Sequence, residues 1–232
     1  MNTIKAVLTG DIIQSRKLDN EGMDKVLECL HITFNEIQEK ILKEEGHLEV
    51  YRGDSFQILI NEAHLALKVA LILKSRLRSL FNTKTTTKGT NQVKSDARIA
   101  IGIGTVRMQN NKIIESQGEA FELSGIELDK MKNEGLKLSI KTPWTAINDE
   151  LKVNILFAEN TINSWSAKTA ESVFRYLLYG ETQEMQAKHL QISQPAIQKR
   201  LNVQGNMKAI DAFIKRYEYI IKLQTKTQDN GL

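Results

Sequence analysis

Residues 4–13 read IKAVLTGDII, a mostly apolar, β-favouring run that predicts a strand covered on both faces. Residues 47–60 read HLEVYRGDSFQILI, two short strand-like runs joined at Gly53-Asp54, a strong hairpin signal. Between them, apolar residues recur at steps of three and four, as in an amphipathic helix: Val26, Leu27, Leu30, Phe34, Ile37 and Ile41. The sequence to residue 60 therefore predicts a strand, a helix and a hairpin.

The alternation of helix and strand signals continues to residue 142. A second helix, capped by Asn61, has the apolar face Ala63, Ala66, Ala70, Leu73, Leu77 and Leu80. A polar loop is predicted over 83–95, a strand over 98–106, a helix around Phe121 to Met131, and a closing strand over 136–140. The order β-α-β-β-α-β, followed by α-β, is that of a ferredoxin-like sandwich with one extra unit. We expect its helices on one face, leaving the other for a ligand, a partner or a second subunit.

After Pro143 the strand signals stop and the pattern becomes helical. A connecting helix is followed by a helix that ends at Gly180, by two short helices over 182–190 and 194–201, and by a last helix with Tyr217 on its buried side. The predicted fold class is therefore α+β. A ferredoxin-like domain (1–142) is followed by a connecting helix (143–164) and an all-α helix-turn-helix domain (165–232).

The composition indicates an ordinary globular protein with 41% hydrophobic residues, 32 Lys+Arg and 28 Asp+Glu among 232 residues. No apolar stretch approaches the roughly 20 residues of a membrane span. Lys5 and Asp11 interrupt the N-terminal apolar run, so we interpret it as a buried strand and not a signal peptide. Cys29 is the only cysteine, which excludes an intramolecular disulfide and fits a reducing cytoplasm.

The excess positive charge is confined to the C-terminal part. Residues 1–150 contain 21 basic and 21 acidic residues, so the whole net charge of +4 belongs to 151–232. A small positive excess attracts polyanions without identifying one, and a solvated helical surface is the simpler alternative.

The segment 183–201, QEMQAKHLQISQPAIQKRL, resembles the helix-turn-helix of bacterial DNA-binding regulators. Ala187 is small where two helices would cross, and an apolar face would fix their angle: Leu190, Ile192, Ile197 and Leu201. Ser193 can cap the second helix, and Pro195 is tolerated in its first turn. Gln191 stands where the motif usually has glycine.

This geometry predicts which residues face DNA. Gln and the basic side chains could read base edges or hold phosphates in a major groove, which gives the candidates Ser193, Gln194, Gln198, Lys199, Arg200 and Lys208. Lys208, Lys215 and Lys222 share one side of the last helix, where they could contact phosphates. The alternative is a helical hairpin that packs on the first domain and does not touch DNA.

Two carboxylates are predicted to meet in the first domain. Asp11 ends the first strand and Asp54 lies at the hairpin tip, on neighbouring strands of a ferredoxin-like sheet. Such a pair suits a hard cation, Mg²⁺ or Mn²⁺. Gly10 and Gly53 would allow a phosphate to approach the backbone, and Arg16 and Arg52 could neutralise it. A plain turn is the alternative.

These motifs resemble a known family. GDIIxSR at 10–16, RGDSFQ at 52–57, GEAF at 118–121 and the C-terminal helix-turn-helix resemble the SatD family of bacterial proteins over nearly the whole chain. The N-terminal part is similar, more distantly, to the palm-like catalytic domain of class III nucleotide cyclases. That resemblance implies that Asp11 and Asp54 bind metal ions.

One departure from the cyclase pattern bears on activity. The resemblance places Glu122 at the position of a transition-state Asn and Ile126 at that of a transition-state Arg. An apolar side chain cannot stabilise charge developing on a phosphate, so cyclase activity is not expected.

The sequence therefore leaves three hypotheses. The preferred one is a homodimeric DNA-binding transcriptional regulator whose first domain senses a nucleotide or phosphorylated ligand or mediates dimerisation. The others are a metal-dependent nucleotide-processing enzyme that uses Asp11 and Asp54, and a non-catalytic protein-interaction module.

Overall fold

The computed structural model describes residues 3–43, 46–51, 53–80, 95–109 and 112–229. Within these ranges the strands are β1 (Thr3–Ile12), β2 (His47–Tyr51), β3 (Ser55–Ile60), β4 (Ala97–Gln109), β5 (Lys112–Gln117) and β6 (Leu138–Lys141). The helices are α1 (Asn20–Ile37), α2 (Ala66–Ser79), α3 (Glu119–Glu134), α4 (Thr145–Ser164), α5 (Ala167–Tyr179), α6 (Gln183–Leu190), α7 (Gln194–Gln198) and α8 (Met207–Asp229).

The strands form one sheet in the order β2-β3-β1-β4-β5, and β6 pairs with β4 in parallel. The pairs β2-β3, β3-β1 and β1-β4 are antiparallel, so the first four strands have the ferredoxin-like order. This confirms the α+β, ferredoxin-like prediction for the first part of the chain.

One face of the sheet carries α1 and α2 over a core that includes Leu8, Ile58 and Ile101. Helix α2 is buried almost all round, including Leu67, Leu71 and Ile72, which lie outside its predicted apolar face. The helix lies in the interior although it also carries Lys68, Lys74, Arg76 and Arg78. Helix α2 lies there because the sheet contacts it on one side and α5 on another.

The opposite face is covered by α3, so the expectation that helices would leave this face free is wrong. Helix α3 lies over β4, β1 and β6. Gly102 allows the close approach, because a Cβ atom there would collide with the Ala120 carbonyl oxygen and lie 2.6 Å from the Ser124 nitrogen. Ser124 also shares a 2.7 Å hydrogen bond with Thr9 on β1.

The C-terminal helices join the same hydrophobic core. Phe174 of α5, Ile197 of α7 and Tyr217 of α8 are buried in one cluster with the residues between the sheet and α2. The Tyr217 hydroxyl donates to the Ala63 carbonyl over 2.8 Å, and full burial raises the pKa of this phenol. The chain changes from mixed to helical structure near the predicted boundaries, but the division at 142 and 164 stays a prediction because the core is continuous.

Several local predictions differ from the structure. Strand β5 was not predicted, because its short sequence KIIESQ carries a weak strand signal. A 3₁₀ turn, Ala63–Leu65, precedes α2, so Leu65 and not Asn61 occupies the cap position. Most of the predicted loop, 83–94, lies outside the described residues, as does Arg52. Within the described ranges, none of the helices combines the length and hydropathy that crossing a bilayer requires.

Candidate functional site

Asp11 and Asp54 lie at one corner of the sheet. In the strand register Asp11 is opposite Ser55 of β3 and opposite Arg98 of β4. The Ile12 amide donates to the Asp54 carbonyl over 2.9 Å, which ties the end of β1 to the hairpin tip. The two residues that the sequence placed on neighbouring strands are therefore neighbours in space.

Their carboxylates nevertheless have different partners. The Asp11 carboxylate accepts from Arg98 NH1 over 2.8 and 3.0 Å, and Lys132 Nζ lies 3.7 Å away. The Asp54 carboxylate accepts from the Ser15 hydroxyl over 2.7 Å. The Asp11 carboxylate is thus neutralised by Arg98 and Lys132 on the side of the sheet that α3 covers. The Asp54 carboxylate is bound by Ser15 in the turn that follows β1.

This arrangement does not fit a resident divalent cation. The protein's own guanidinium occupies both oxygens of Asp11, and a metal ion would have to displace it. Among the residues that the structure describes, no group of three or more His, Cys, Asp or Glu side chains could hold a metal ion.

The predicted phosphate ligands have different surroundings. The Phe56 ring fills the space beside Gly10, where a Cβ atom would come within 2.8 Å of the ring, so this glycine accommodates packing. Gly53 has φ +77° and open space around it, as a hairpin turn requires. Arg16 is exposed in the 3₁₀ turn Ser15–Lys17. Glu122 and Ile126, the positions that the cyclase resemblance singled out, are exposed on α3.

Sequence reasoning missed Arg98 and Lys132 as parts of this corner. Arg98 was identifiable, because residues directly opposite each other on antiparallel strands place their side chains on the same face. Lys132 was not, because its approach to Asp11 depends on how α3 crosses the sheet.

Replacing Arg98 with Ala is expected to raise the affinity of this corner for Mn²⁺ by about tenfold, since a charge within ion-pair distance changes ion binding by at least this factor. Electron paramagnetic resonance of free Mn²⁺ measures the change. Arg107→Ala, on an exposed position of the same strand, is the control. Equal affinity in wild type and Arg98→Ala would show that Arg98 does not compete with the metal ion. Adding Asp11→Asn to Arg98→Ala should cancel any gain in Mn²⁺ affinity.

The second candidate site is the helix pair α6 and α7. Thr182 caps α6 by accepting from the Met185 amide over 3.2 Å, and the turn Gln191–Ser193 leads into α7 with Pro195 in its first turn. Ile197 and Leu201 are buried, and Leu190 and Ile192 pack partly buried against the same core. The four residues predicted to form the apolar face of this helix pair therefore lie on its packed side.

The turn contains one conformational compromise. Gln191 has φ 52°, the left-handed region in which glycine is favoured, and its amide donates to the Ala187 carbonyl. The backbone therefore has the shape that the motif requires although the residue is not glycine. Ser193 occupies the predicted cap position of α7, although its side chain makes no capping hydrogen bond.

The predicted DNA-facing residues have different exposures. Ser193, Gln194, Gln198, Lys199 and Lys208 are exposed. Arg200 is half-buried, and its NH1 group lies 3.5 Å from the Ser172 hydroxyl, so it points back toward α5. Lys215 and Lys222 are exposed along α8 with Lys208. The outward side of α7 and the basic side of α8 are thus accessible to a macromolecule.

Comparison with known proteins yields structural matches only. No protein-family model matches the chain, and no curated protein matches it either. The GGEEF domain of a diguanylate cyclase from Vibrio cholerae matches with a TM-score of 0.40 and 16% identity, covering 62% of this chain and 85% of that one. A bacterial light-regulated adenylyl cyclase matches with a TM-score of 0.39 and 14% identity, covering 60% and 43%. The adenylyl cyclase CyaB from P. aeruginosa matches with a TM-score of 0.35 and 16% identity, covering 55% and 72%.

Proposed function

We propose that this chain is a DNA-binding transcriptional regulator, as its resemblance to helix-turn-helix proteins and the SatD family implies. The observation that carries the proposal is the two-sided character of α7. Gln194, Gln198 and Lys199 are exposed on α7 and on the helical turn that continues it. Ile197 and Leu201, on the other side, are buried in the core. A rigidly seated helix that presents amide and ammonium groups matches what a major groove can read.

The basic surface of α8 supports the same function. Lys208, Lys215 and Lys222 are exposed, and they lie in the part of the chain that carries the whole positive excess. Contacts from such lysines to phosphates would set the orientation of α7 without contributing sequence preference. A homodimer would present two copies of α7 to two half-sites.

The double substitution Gln198→Ala and Lys199→Ala is expected to weaken binding to a duplex selected from random-sequence DNA by about 30-fold, the effect of losing one to two base or phosphate contacts. Fluorescence anisotropy over a range of salt concentrations measures this loss. The salt dependence should also fall by about one unit in slope if Lys199 contacts a phosphate.

The matched control is Lys152→Ala, which removes one positive charge from an exposed position of α4. It should leave DNA affinity within about twofold of wild type, because this exposed charge lies on α4 and salt screens charges that do not contact the DNA. Salt-insensitive binding by wild type, or an equal loss in both variants, would contradict the proposed groove-reading role of α7.

For the first domain we propose sensing of a nucleotide or phosphorylated ligand, or dimerisation. Arg98 and Lys132 bring positive charge to the corner of Asp11 and Asp54, which supports an anionic ligand there. Helix α2 contacts both the sheet and α5, so a shift at the sheet would reach the helix-turn-helix. DNA affinity measured with and without nucleoside triphosphate tests sensing. Hydrolysis that is lost in Asp11→Asn would instead favour the nucleotide-processing enzyme.

A further inference from the structure

The helix that follows the turn does not end with α7. It continues as a π-helical turn, Lys199–Gln204, in which the Gly205 amide donates to the Arg200 carbonyl over 2.7 Å. π-Turns within helices are rare and occur frequently at functional sites. Within this turn Val203 is 73% exposed, although an isopropyl group gains nothing from contact with water.

The residues on either side of Val203 in the sequence are held by contacts with the protein interior. Leu201 is buried, and the Gln204 amide oxygen accepts from the Thr169 hydroxyl over 2.9 Å. The Gly205 carbonyl accepts from the Trp165 indole over 3.3 Å. A Cβ atom at Gly205 would lie 2.8 Å from the carbonyl oxygens of Arg200 and Leu201, so glycine is needed for this path. Because these contacts hold the turn, Val203 is directed outward by a rigid backbone.

The position of Val203 extends the DNA-facing side. Residues four apart lie on one side of a helix, so Val203 follows Lys199 in the same way that Asn202 follows Gln198. Asn202 and Lys199 are both exposed. The exposed side that carries Gln194, Gln198 and Lys199 therefore continues to Asn202, which is polar, and to Val203, which is apolar.

We propose that Val203 contacts the C5-methyl group of a thymine in the major groove and so determines sequence preference. This inference rests on the proposed DNA-binding function and adds a recognition chemistry to it. The thymine methyl is the apolar group that base pairs display in the major groove, and an apolar side chain is its natural partner. Neither glutamine nor lysine supplies that contact.

The test replaces each thymine of the selected duplex, one at a time, with uracil, which removes the methyl group and leaves the base-pairing edge unchanged. For wild type, one position in each half-site should lose about fourfold in affinity, the effect of burying one methyl-sized group. Val203→Ala should bind the unmodified duplex about fourfold more weakly and should be insensitive to uracil at that position. Val153→Ala, the same change at a valine 56% exposed on α4, should behave like wild type.

The outcomes separate this inference from the function beneath it. Selective binding by wild type with the same uracil response in Val203→Ala would overturn the thymine contact and leave the regulator intact. The absence of selective, salt-sensitive binding by wild type would overturn both. Circular dichroism of Val203→Ala should match wild type, because the side chain is exposed, and a fold defect would contradict its placement outside the core.

Discussion

Replacing Asp96 with Ala should lower the free energy of unfolding by about 3–5 kcal/mol, the loss expected when one member of a buried ion pair is removed. Asp96 accepts from Arg78 NH1 over 2.8 Å and from Lys74 Nζ over 3.2 Å, and Lys74 is fully buried. Without Asp96 the Lys74 ammonium would keep only backbone carbonyl partners, those of Ala97 and Lys137. Urea unfolding followed by circular dichroism measures the change.

The same carboxylate predicts an acid-sensitive contribution to stability. Burial alone would raise the pKa of Asp96, but the charges of Lys74, Arg78 and Lys137 outweigh it and hold this pKa below the ordinary 3.8. The contribution is therefore complete above about pH 3.8 and is lost as the pH falls through the lower, folded-state pKa. Asp96→Asn should show a flatter dependence on pH below 4 than wild type.

A surface ion pair provides the control. Glu21 pairs with Lys25 on α1, and both side chains are largely exposed, so Glu21→Ala should cost less than about 1 kcal/mol. An Asp96→Ala variant within 1 kcal/mol of wild type would show that the Lys74 charge is compensated in another way.

The Asp96 cluster also joins the sheet to the C-terminal helices. Arg78, which pairs with Asp96, donates to the carbonyl of Asn163 in the last turn of α4 and to the carbonyl of Trp165, which lies between α4 and α5. The indole of Trp165 in turn holds the carbonyl of Gly205. Loss of Asp96 is thus expected to weaken the contacts that hold the proposed recognition helix, as well as the packing of the first domain.

Replacing Gly102 with Ala should destabilise the protein by about 3 kcal/mol, the upper part of the usual range for overpacking. The new methyl group would meet backbone atoms of Ala120 and Ser124, which can move only if α3 is displaced from the sheet. That displacement would also stretch the buried hydrogen bond between Thr9 and Ser124. Thermal and urea unfolding measure the loss.

Gly125 on the same helix is the matched control, because a Cβ atom there meets nothing within 4 Å. Gly125→Ala should stabilise the protein by about 0.5–1 kcal/mol through helix propensity. If both glycine substitutions stabilised the protein, the close packing of α3 on β4 would be refuted.

The sequence predicted those elements whose signals are local. The hairpin strands have the predicted bounds because the turn residues and the alternation of apolar side chains determine them together. The last helix buries Tyr217 as predicted, together with Ile210, Phe213 and Ile220, because a period of 3.6 residues is visible in the chain itself. Gln191 has a left-handed backbone conformation although it is not glycine. The packing of α6 against α7 outweighs the conformational cost of this one residue.

The predicted carboxylate corner shows the limit of such reasoning. The order of strands was enough to bring Asp11 and Asp54 to one place, but not to predict what their side chains contact. Arg98 and Lys132 take up the Asp11 charge only because β4 and α3 meet over that residue.

The sequence by itself predicted the hairpin, the turn chemistry and the apolar side of the proposed helix-turn-helix, because these depend on residues close together in the chain. The tertiary structure alone decided that α3 covers the second face of the sheet, that α2 lies between the sheet and α5, and that Val203 remains in solvent. Those outcomes depend on contacts between residues far apart in sequence, such as Gly102 with Ala120 and Trp165 with Gly205. Periodicity shows which side of an element is buried, whereas the partner that buries it is chosen by packing.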